Sequence, residues 1–312
     1  MILQVIADGL IVGSVISLGA IGLTITFSIL RFSNFGHGEL LAWGAYIALS
    51  AVAWFTAIAG AIGGAIGGAA PLAPFSFGWP LLAALGVAMV GASLIALGLD
   101  WLLFKRLRLQ GSITVVIASF GAALAARNLL FFFYGGIPQY YGSELQIALP
   151  LLPRSVAGGL RVTPDQMFVL ALTVVTVTAL HLFLSRSTLG RAMRATSSNP
   201  QLARVSGIDP ERVMRVTWVI GAMLAALAGV FAGLTVQIRP TMGLDLLLPL
   251  FAAAILGGIG SVWGAVIGGL IVGMAESFAV MWIGAEYRSA AAFAVLIAIL
   301  LVRPTGLFAE KS

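Results

Sequence analysis

Eight apolar runs divide this chain, most of them long enough, at about 20 residues, to cross the hydrocarbon of a bilayer as a helix. They lie at 9–30, 40–59, 80–104, 112–134, 164–184, 213–236, 246–283 and 289–302. Hydrocarbon offers backbone groups no partner and no alternating barrel pattern appears, so every run must be helical. Only 9% of the residues are charged and 60% are hydrophobic, and the 38 glycines exceed what a soluble helical protein carries. The expected fold is an all-α polytopic integral membrane protein of about 8–9 transmembrane helices, some interrupted by glycine, in one domain over residues 1–312.

Arginine sorts by side. The loops after the first, third and fifth runs hold Arg31, then Lys105, Arg106 and Arg108, then six arginines between Arg186 and Arg215. The alternate loops hold Arg154, Arg161 and Arg239. Positive loops stay in the cytoplasm, which puts the first residues and the 135–163 segment outside. Residues 1–7 have no positive n-region, so the first run reads as a retained helix. The net charge of +6 thus orients helices in lipid and does not point to nucleic acid. The chain has no cysteine, which excludes disulfides, thiolate metal sites and cysteine nucleophiles.

Two places break the helix count. The first is Arg31 to Tyr46, where SNFGHGE separates two apolar runs and Gly36 and Gly38 flank His37. The second is the 246–283 run, almost twice the length of one crossing and interrupted at Gly257-Gly258-Ile259-Gly260-Ser261. A half-helix ending there, with a new helix starting near Val262, leaves backbone groups that are tolerated only beside a cavity or against protein. Breaks near the midplane point to a transport path, and close packing through glycine-rich faces is the alternative. A double pass puts Arg303 and Lys311 inside, in keeping with a basic tail.

The 186–215 segment carries its own folding signals. Asn199 can cap a helix that starts at Pro200, where no amide donor is needed and φ is already helical. Gly207 supplies a stop, and Asp209-Pro210 repeats the device for the next helix. The spacing predicts a two-turn helix over 200–206 that displays Leu202 and Val205, rimmed by Arg194 and Arg204. Such a knob fits a groove on another protein, and a basic loop resting on anionic lipid is the other reading. On the outer side, Gly135-Gly136, Pro138, Tyr140-Tyr141, Pro150 and Pro153 suggest a turn-rich cap where a delivering partner docks, or a plain connector. Residues 60–68 (GAIGGAIGG), followed by Pro71 and Pro74, read as a helix end with flexible linkage.

Chemistry is sparse. There is no phosphate-binding loop and the lysines are Lys105 and Lys311, so this chain is not itself an ATPase. His37 and His181 are the only histidines, with no HExxH or paired carboxylates, which leaves metal-dependent hydrolysis without support. Ser261 has no histidine partner to activate it as a nucleophile. Glu39, Arg127 and Glu276 are the deepest ionisable groups, with Asp100 close enough to the cytoplasmic face to reach Lys105 or Arg106. Groups like these are functional suspects, with interhelical hydrogen bonding as the alternative, and His181 reads as interfacial. Three scattered groups make a poor relay for a self-sufficient secondary carrier.

Residues 190–230, GRAMRATSSNPQLARVSGIDPERVMRVTWVIGAMLAALAGV, resemble the signature of membrane permeases from ATP-driven branched-chain amino-acid importers. Three other motifs agree. Asn34-Phe35-Gly36-His37-Gly38-Glu39 is similar to the family's N-F-A-H-G-E, with Gly36 where alanine is usual; AILGGIGSVWGAVIGG at 254–269 is similar to its late glycine-rich segment. Arg303-Pro304-Thr305-Gly306-Leu307-Phe308 resembles its R-P-T-G-L ending. The length resembles that of the shorter of two paired permeases. Permeases for urea and short-chain amides share these motifs.

The resemblance implies a bacterial inner-membrane subunit that binds no cofactor of its own, with ATP used by partner subunits. The implied partners are a second homologous permease, two ATP-binding subunits and a periplasmic substrate-binding protein. Gly190, Arg191, Arg194, Asn199, Pro200, Ala203 and Gly207 match the family pattern and would shape the surface that couples to the ATPase. Asn34, His37, Glu39, Gly257, Gly258, Gly260 and Ser261 are the candidates for the substrate path or its gate, with structural packing as their alternative role. No catalytic or metal-binding residue is expected.

Overall fold

The computed structural model of the chain describes residues 2–61, 71–108, 110–142, 148–152, 159–303 and 306–308. Its helices are α1 (Ile2–Leu30), α2 (Gly36–Ala61), α3 (Trp79–Leu107), α4 (Ser112–Tyr134), α5 (Pro164–Arg186), α6 (Thr188–Ser198) and α7 (Pro200–Val205). They continue as α8 (Pro210–Thr235), α9 (Met242–Gly257), α10 (Val262–Trp282) and α11 (Arg288–Val302). Among the described residues, eight helices are long and apolar enough to cross a membrane: α1, α2, α3, α4, α5, α8, α10 and α11, the last counted with the short turn that precedes it. α9, with 16 residues, is about 24 Å long at 1.5 Å per residue and falls short of the ~30 Å hydrocarbon core.

α1 and α8 are the most enclosed of these helices, and the others pack around them. Lipid tails are as apolar as leucine, so helices in a membrane associate by close packing rather than by escape from water. Small residues make that packing possible. Gly13 of α1 lies against Leu270 and Gly273 of α10, and the Ser17 hydroxyl donates to the Val266 carbonyl at 2.9 Å. These contacts run in opposite order along the two helices, so α1 and α10 are antiparallel. Gly44 and Gly229 let α2 and α8 cross backbone against backbone, beside Ala226 and Leu41.

The long 246–283 run is a helical hairpin. α9 ends at Gly257 and α10 starts at Val262, as the glycine cluster predicts. Gly257 and Gly268 meet Gly264 and Ala253 across it with no room for a Cβ. The expectation that this break lies near the midplane is corrected. Gly260 sits beside Ser28, in the last turn of α1, so the turn is level with the C-terminal end of α1. α9 is short because it begins inside the protein, with its first turn at Gly243 packed on Gly38 of α2.

The first break also differs from its sequence reading. Gly36, His37, Gly38 and Glu39 form the first turn of α2, and only Arg31–Phe35 leaves the helix. Arg31 ends α1 with φ of 61° and donates to the Ser197 carbonyl of α6 at 2.8 Å. Six residues later His37 donates from Nε2 to the carbonyl of Gly19, in the middle of α1, at 3.0 Å. The chain therefore climbs back into the bundle before α2 begins.

Asp100 does not reach Lys105 or Arg106. A π-helical stretch over Asp100–Phe104 shifts the register, so Asp100 pairs with Arg108, Lys105 pairs with Glu211 of α8 at 2.9 Å, and Arg106 lies over the Trp101 ring. His181 is exposed and faces Trp263, with ring centroids 5.3 Å apart. Among the described residues the all-α expectation has one exception, in the 135–163 segment: β1 (Leu149–Leu152) pairs antiparallel with β2 (Leu160–Val162). The Gln139–Ile238 bridge ties this cap to the end of α8. Most of the 60–68 linkage, Pro153, Arg154, Pro304, Thr305 and Lys311 lie outside the described residues.

Candidate functional site

The four sequence motifs become three pieces of structure, and the 186–215 segment is the best defined. Ser187 caps α6, its hydroxyl accepting from the Gly190 amide at 2.9 Å. Met193 and Thr196 of α6 face inward at helical spacing, a periodicity that the arginines of the segment obscure. Gly190 makes the corner possible: a Cβ there would lie 2.5 Å from the Leu184 carbonyl oxygen and 2.6 Å from its Cα. Arg194 reaches back and donates to that same carbonyl, at the end of α5.

α7 follows as the sequence predicts, one residue shorter. The Asn199 side chain accepts from the amides of Gln201 and Leu202, each at 3.0 Å, and Pro200 opens the helix. Gly207, with φ of 83°, closes it; the Gly207 and Ile208 amides donate to the carbonyls of Arg204 and Ala203. Asp209 then caps α8 through the Glu211 amide at 2.9 Å. Ala203 is buried beneath α7, while Leu202 and Val205 stand 64% and 86% exposed. Arg191, Arg194 and Arg204 are exposed around them. The element is rigid where it meets the protein and apolar at its tip.

The second piece is the start of α2. Asn34 is a cap: its side-chain oxygen accepts from the Gly36 amide at 3.0 Å and its carbonyl from the His37 amide. His37 is fully enclosed and fixes α2 to α1, and a Cβ at Gly22 would touch its ring. Glu39 accepts two bonds from Arg127 of α4, and the Phe35 amide donates to Ser119 of α4 at 3.2 Å. Spacing in sequence gave no sign that Glu39 and Arg127 meet, since 88 residues separate them. Glu276, the third deep group, stands apart beside Arg288, which opens α11.

The third piece joins two motifs. At the Gly258–Ser261 turn, Gly258 and Gly260 have φ of 91° and 97°, and the Ser261 hydroxyl caps α10 by accepting from the Gly264 amide at 3.0 Å. The carbonyls left open at the end of α9 are taken by the tail: Leu307 donates to Leu256 at 2.8 Å and Phe308 to Gly257 at 3.2 Å. Gly306 rests on Gly258. The candidates Gly257, Gly258, Gly260 and Ser261 therefore form one packed unit with the tail, at a distance along the bundle from Asn34, His37 and Glu39.

Known proteins match this chain in sequence over nearly all its residues. The family described as branched-chain amino acid transport system / permease component matches residues 5–300. BraD of Pseudomonas aeruginosa, a high-affinity branched-chain amino acid transport system permease protein, is 33% identical over 98% of this chain and 95% of its own length. LivH of Escherichia coli, of the same description, is 32% identical over 98% and 94%. A probable branched-chain amino acid transport permease protein of Methanocaldococcus jannaschii is 27% identical over 97% and 91%. By the match over nearly all its residues, this multi-pass membrane chain belongs to the family of branched-chain amino acid transport system permease components.

Proposed function

We propose that this chain is the membrane-crossing subunit of an ATP-driven importer and carries branched-chain amino acids across the bacterial inner membrane. The match over residues 5–300 carries the reading. The relatives' names favour branched-chain amino acids over urea or short amides. The chain works beside a second homologous permease and two ATP-binding subunits, and receives its substrate from a periplasmic binding protein. It holds no cofactor and hydrolyses nothing itself; ATP acts on the partners.

Coupling runs through the 186–215 segment. Leu202 and Val205 enter a groove on the ATP-binding subunit, and Arg191, Arg194 and Arg204 surround the contact. Gly190, Asn199, Pro200, Ala203 and Gly207 shape the element so that a push on α7 reaches α5 and α8. Nucleotide biases the two transport states only through its different affinity for them, which the separate ATPase supplies. Asn34, His37 and Glu39 hold the interior helix start beside the path, and Gly257, Gly258, Gly260 and Ser261 brace its cytoplasmic end.

Uptake of radiolabelled leucine, urea and a short amide into vesicles tests the reading. Leucine uptake is expected only with the partner subunits, the binding protein and ATP together. ATP-driven uptake of urea or amide in its place overturns the ligand, and uptake by the chain alone overturns the subunit role.

A further inference from the structure

Four charged side chains line one cavity in the outer half of the bundle, outside the coupling segment and the interior helix start. Glu276 of α10 has a side chain only 2% exposed, and its Oε2 lies 3.5 Å from Nε of Arg288 at the start of α11. Its other oxygen, Oε1, is buried with no hydrogen-bond partner among the described residues. Arg239 and Asp245, flanking the start of α9, stand 3.4 Å apart, and Thr241 donates to the same Asp245 oxygen at 3.3 Å. Both pairs are loose, since charge-assisted bonds between nitrogen and carboxylate close to about 2.7–2.9 Å.

Between the pairs lies a cavity of ≈ 400 Å³, inside the ~300–1,000 Å³ range of small-molecule sites. Its wall is apolar, from Val12, Val236, Leu246 and Pro249. Gln237 and Arg239 also line it, on either side of Ile238, which bridges to the outer cap, so it lies at the outer end. Arg288 borders a second cavity of ≈ 280 Å³ as well, together with Val12 and Val236, and stands between the two.

We propose that this cavity is the outer reception site of the permease, taking a small aliphatic α-amino acid by both its charged ends. The ammonium group donates to Glu276 Oε1, the buried acceptor without a partner, and to Asp245. The carboxylate accepts from Arg288 and Arg239, and the branched side chain lies on Val12, Leu246 and Pro249. A zwitterion satisfies both loose pairs at once; a molecule with one charged end leaves either the two carboxylates or the two guanidiniums unmet. Buried carboxylates inside membrane proteins are costly, and the ligand's ammonium would supply a partner to Oε1, the oxygen that Arg288 leaves unmet. The inference rests on the importer reading above and assigns a site to it.

The test uses the importer with its partner subunits in lipid nanodiscs, without the binding protein. Saturable binding of radiolabelled leucine is expected, displaced by unlabelled leucine and only poorly by isopentylamine or 4-methylpentanoate, which lack one charged end. Glu276→Gln is expected to weaken leucine about tenfold, as loss of one charge-assisted bond does. Asp245→Asn, at a half-exposed position where folding is not at stake, is expected to weaken it in the same direction. Leucine binding unchanged by both substitutions, or displaced equally by the singly charged analogues, overturns the site. If nanodisc binding is unchanged in both variants while the importer, in vesicles with its binding protein and ATP, still takes up leucine, the site fails and the importer reading stands. If it takes up urea or an amide and not leucine, the importer's ligand is wrong and the site falls with it.

Discussion

Arg127 on α4 grips one oxygen of Glu39 on α2, donating from Nε at 3.0 Å and from Nη2 at 2.5 Å. Glu39 lies in the first turn of a helix that begins inside the bundle, where its charge also favours the unpaired amides of that turn. The pair thus holds the interior end of α2 against α4. Its side chains are 15% and 3% exposed, so neither charge is met by water when the other is removed.

Breaking the pair from the arginine side should therefore be costly. Arg127→Ala leaves a buried carboxylate alone and is expected to destabilise the solubilised protein by about 3–5 kcal/mol. Adding Glu39→Gln removes that orphan charge and should restore part of the loss. Chemical unfolding of the single and double variants measures this, and equal midpoints for wild type and Arg127→Ala would remove the pair from the fold's supports.

The tip of α7 makes the opposite prediction. Leu202 and Val205 touch little of their own protein, at 64% and 86% exposure, so Leu202→Asp and Val205→Asp should change stability by no more than about 0.5 kcal/mol. Each should still abolish most ATP-driven uptake, because a carboxylate cannot enter an apolar groove. Pull-down of the ATP-binding subunit, alongside uptake, checks both halves. Full uptake by both variants would move the coupling contact elsewhere.

The cap of α7 separates shape from contact. Asn199→Ala removes the bonds to the Gln201 and Leu202 amides and should cost about 1 kcal/mol locally, while leaving Leu202 and Val205 in place as residues. Faster amide exchange over 200–206 with reduced coupling is expected; Asn199→Asp, which also caps, should restore both. If Asn199→Ala couples as well as the wild type, a rigid α7 is not needed.

How much of this was legible in the sequence follows from the range of the forces involved. Caps act over three residues, so Asn199, Gly207 and Asp209 announced α7 and its neighbours directly. The Gly257–Ser261 cluster likewise announced a break, because a 38-residue apolar run is almost twice what one crossing needs, with one pass or two left open. Depth was not legible: it is set by which helices touch, and only the contacts of Gly260 with Ser28 and His37 with Gly19 exchange the expected levels of the two breaks. The pairing of Glu39 with Arg127 and the outer site around Glu276 are equally products of packing. The outer strands were missed because β1 and β2 are short, and Pro150 reads locally as a turn.

The meeting of the tail with the glycine turn gives the last prediction. Gly306 has φ of 85°, a conformation that costs other residues about 1–2 kcal/mol, and a Cβ on it would lie 2.6 Å from the Cα and amide nitrogen of Gly258. That neighbour is backbone and cannot swing aside. Gly306→Val should therefore lift the tail from α9, freeing the Leu256 and Gly257 carbonyls that Leu307 and Phe308 now occupy. The tail holds only the end of α9 and its turn, so the chain should still fold, with a lower unfolding midpoint. Limited proteolysis from the cytoplasmic side should then cut near 303–308 faster than in the wild type. Gly98→Ala, at a helical glycine with open space around its Cβ position, is the control and should do neither. Equal cleavage of Gly306→Val and wild type would mean that the tail is held by something other than the Gly258 turn.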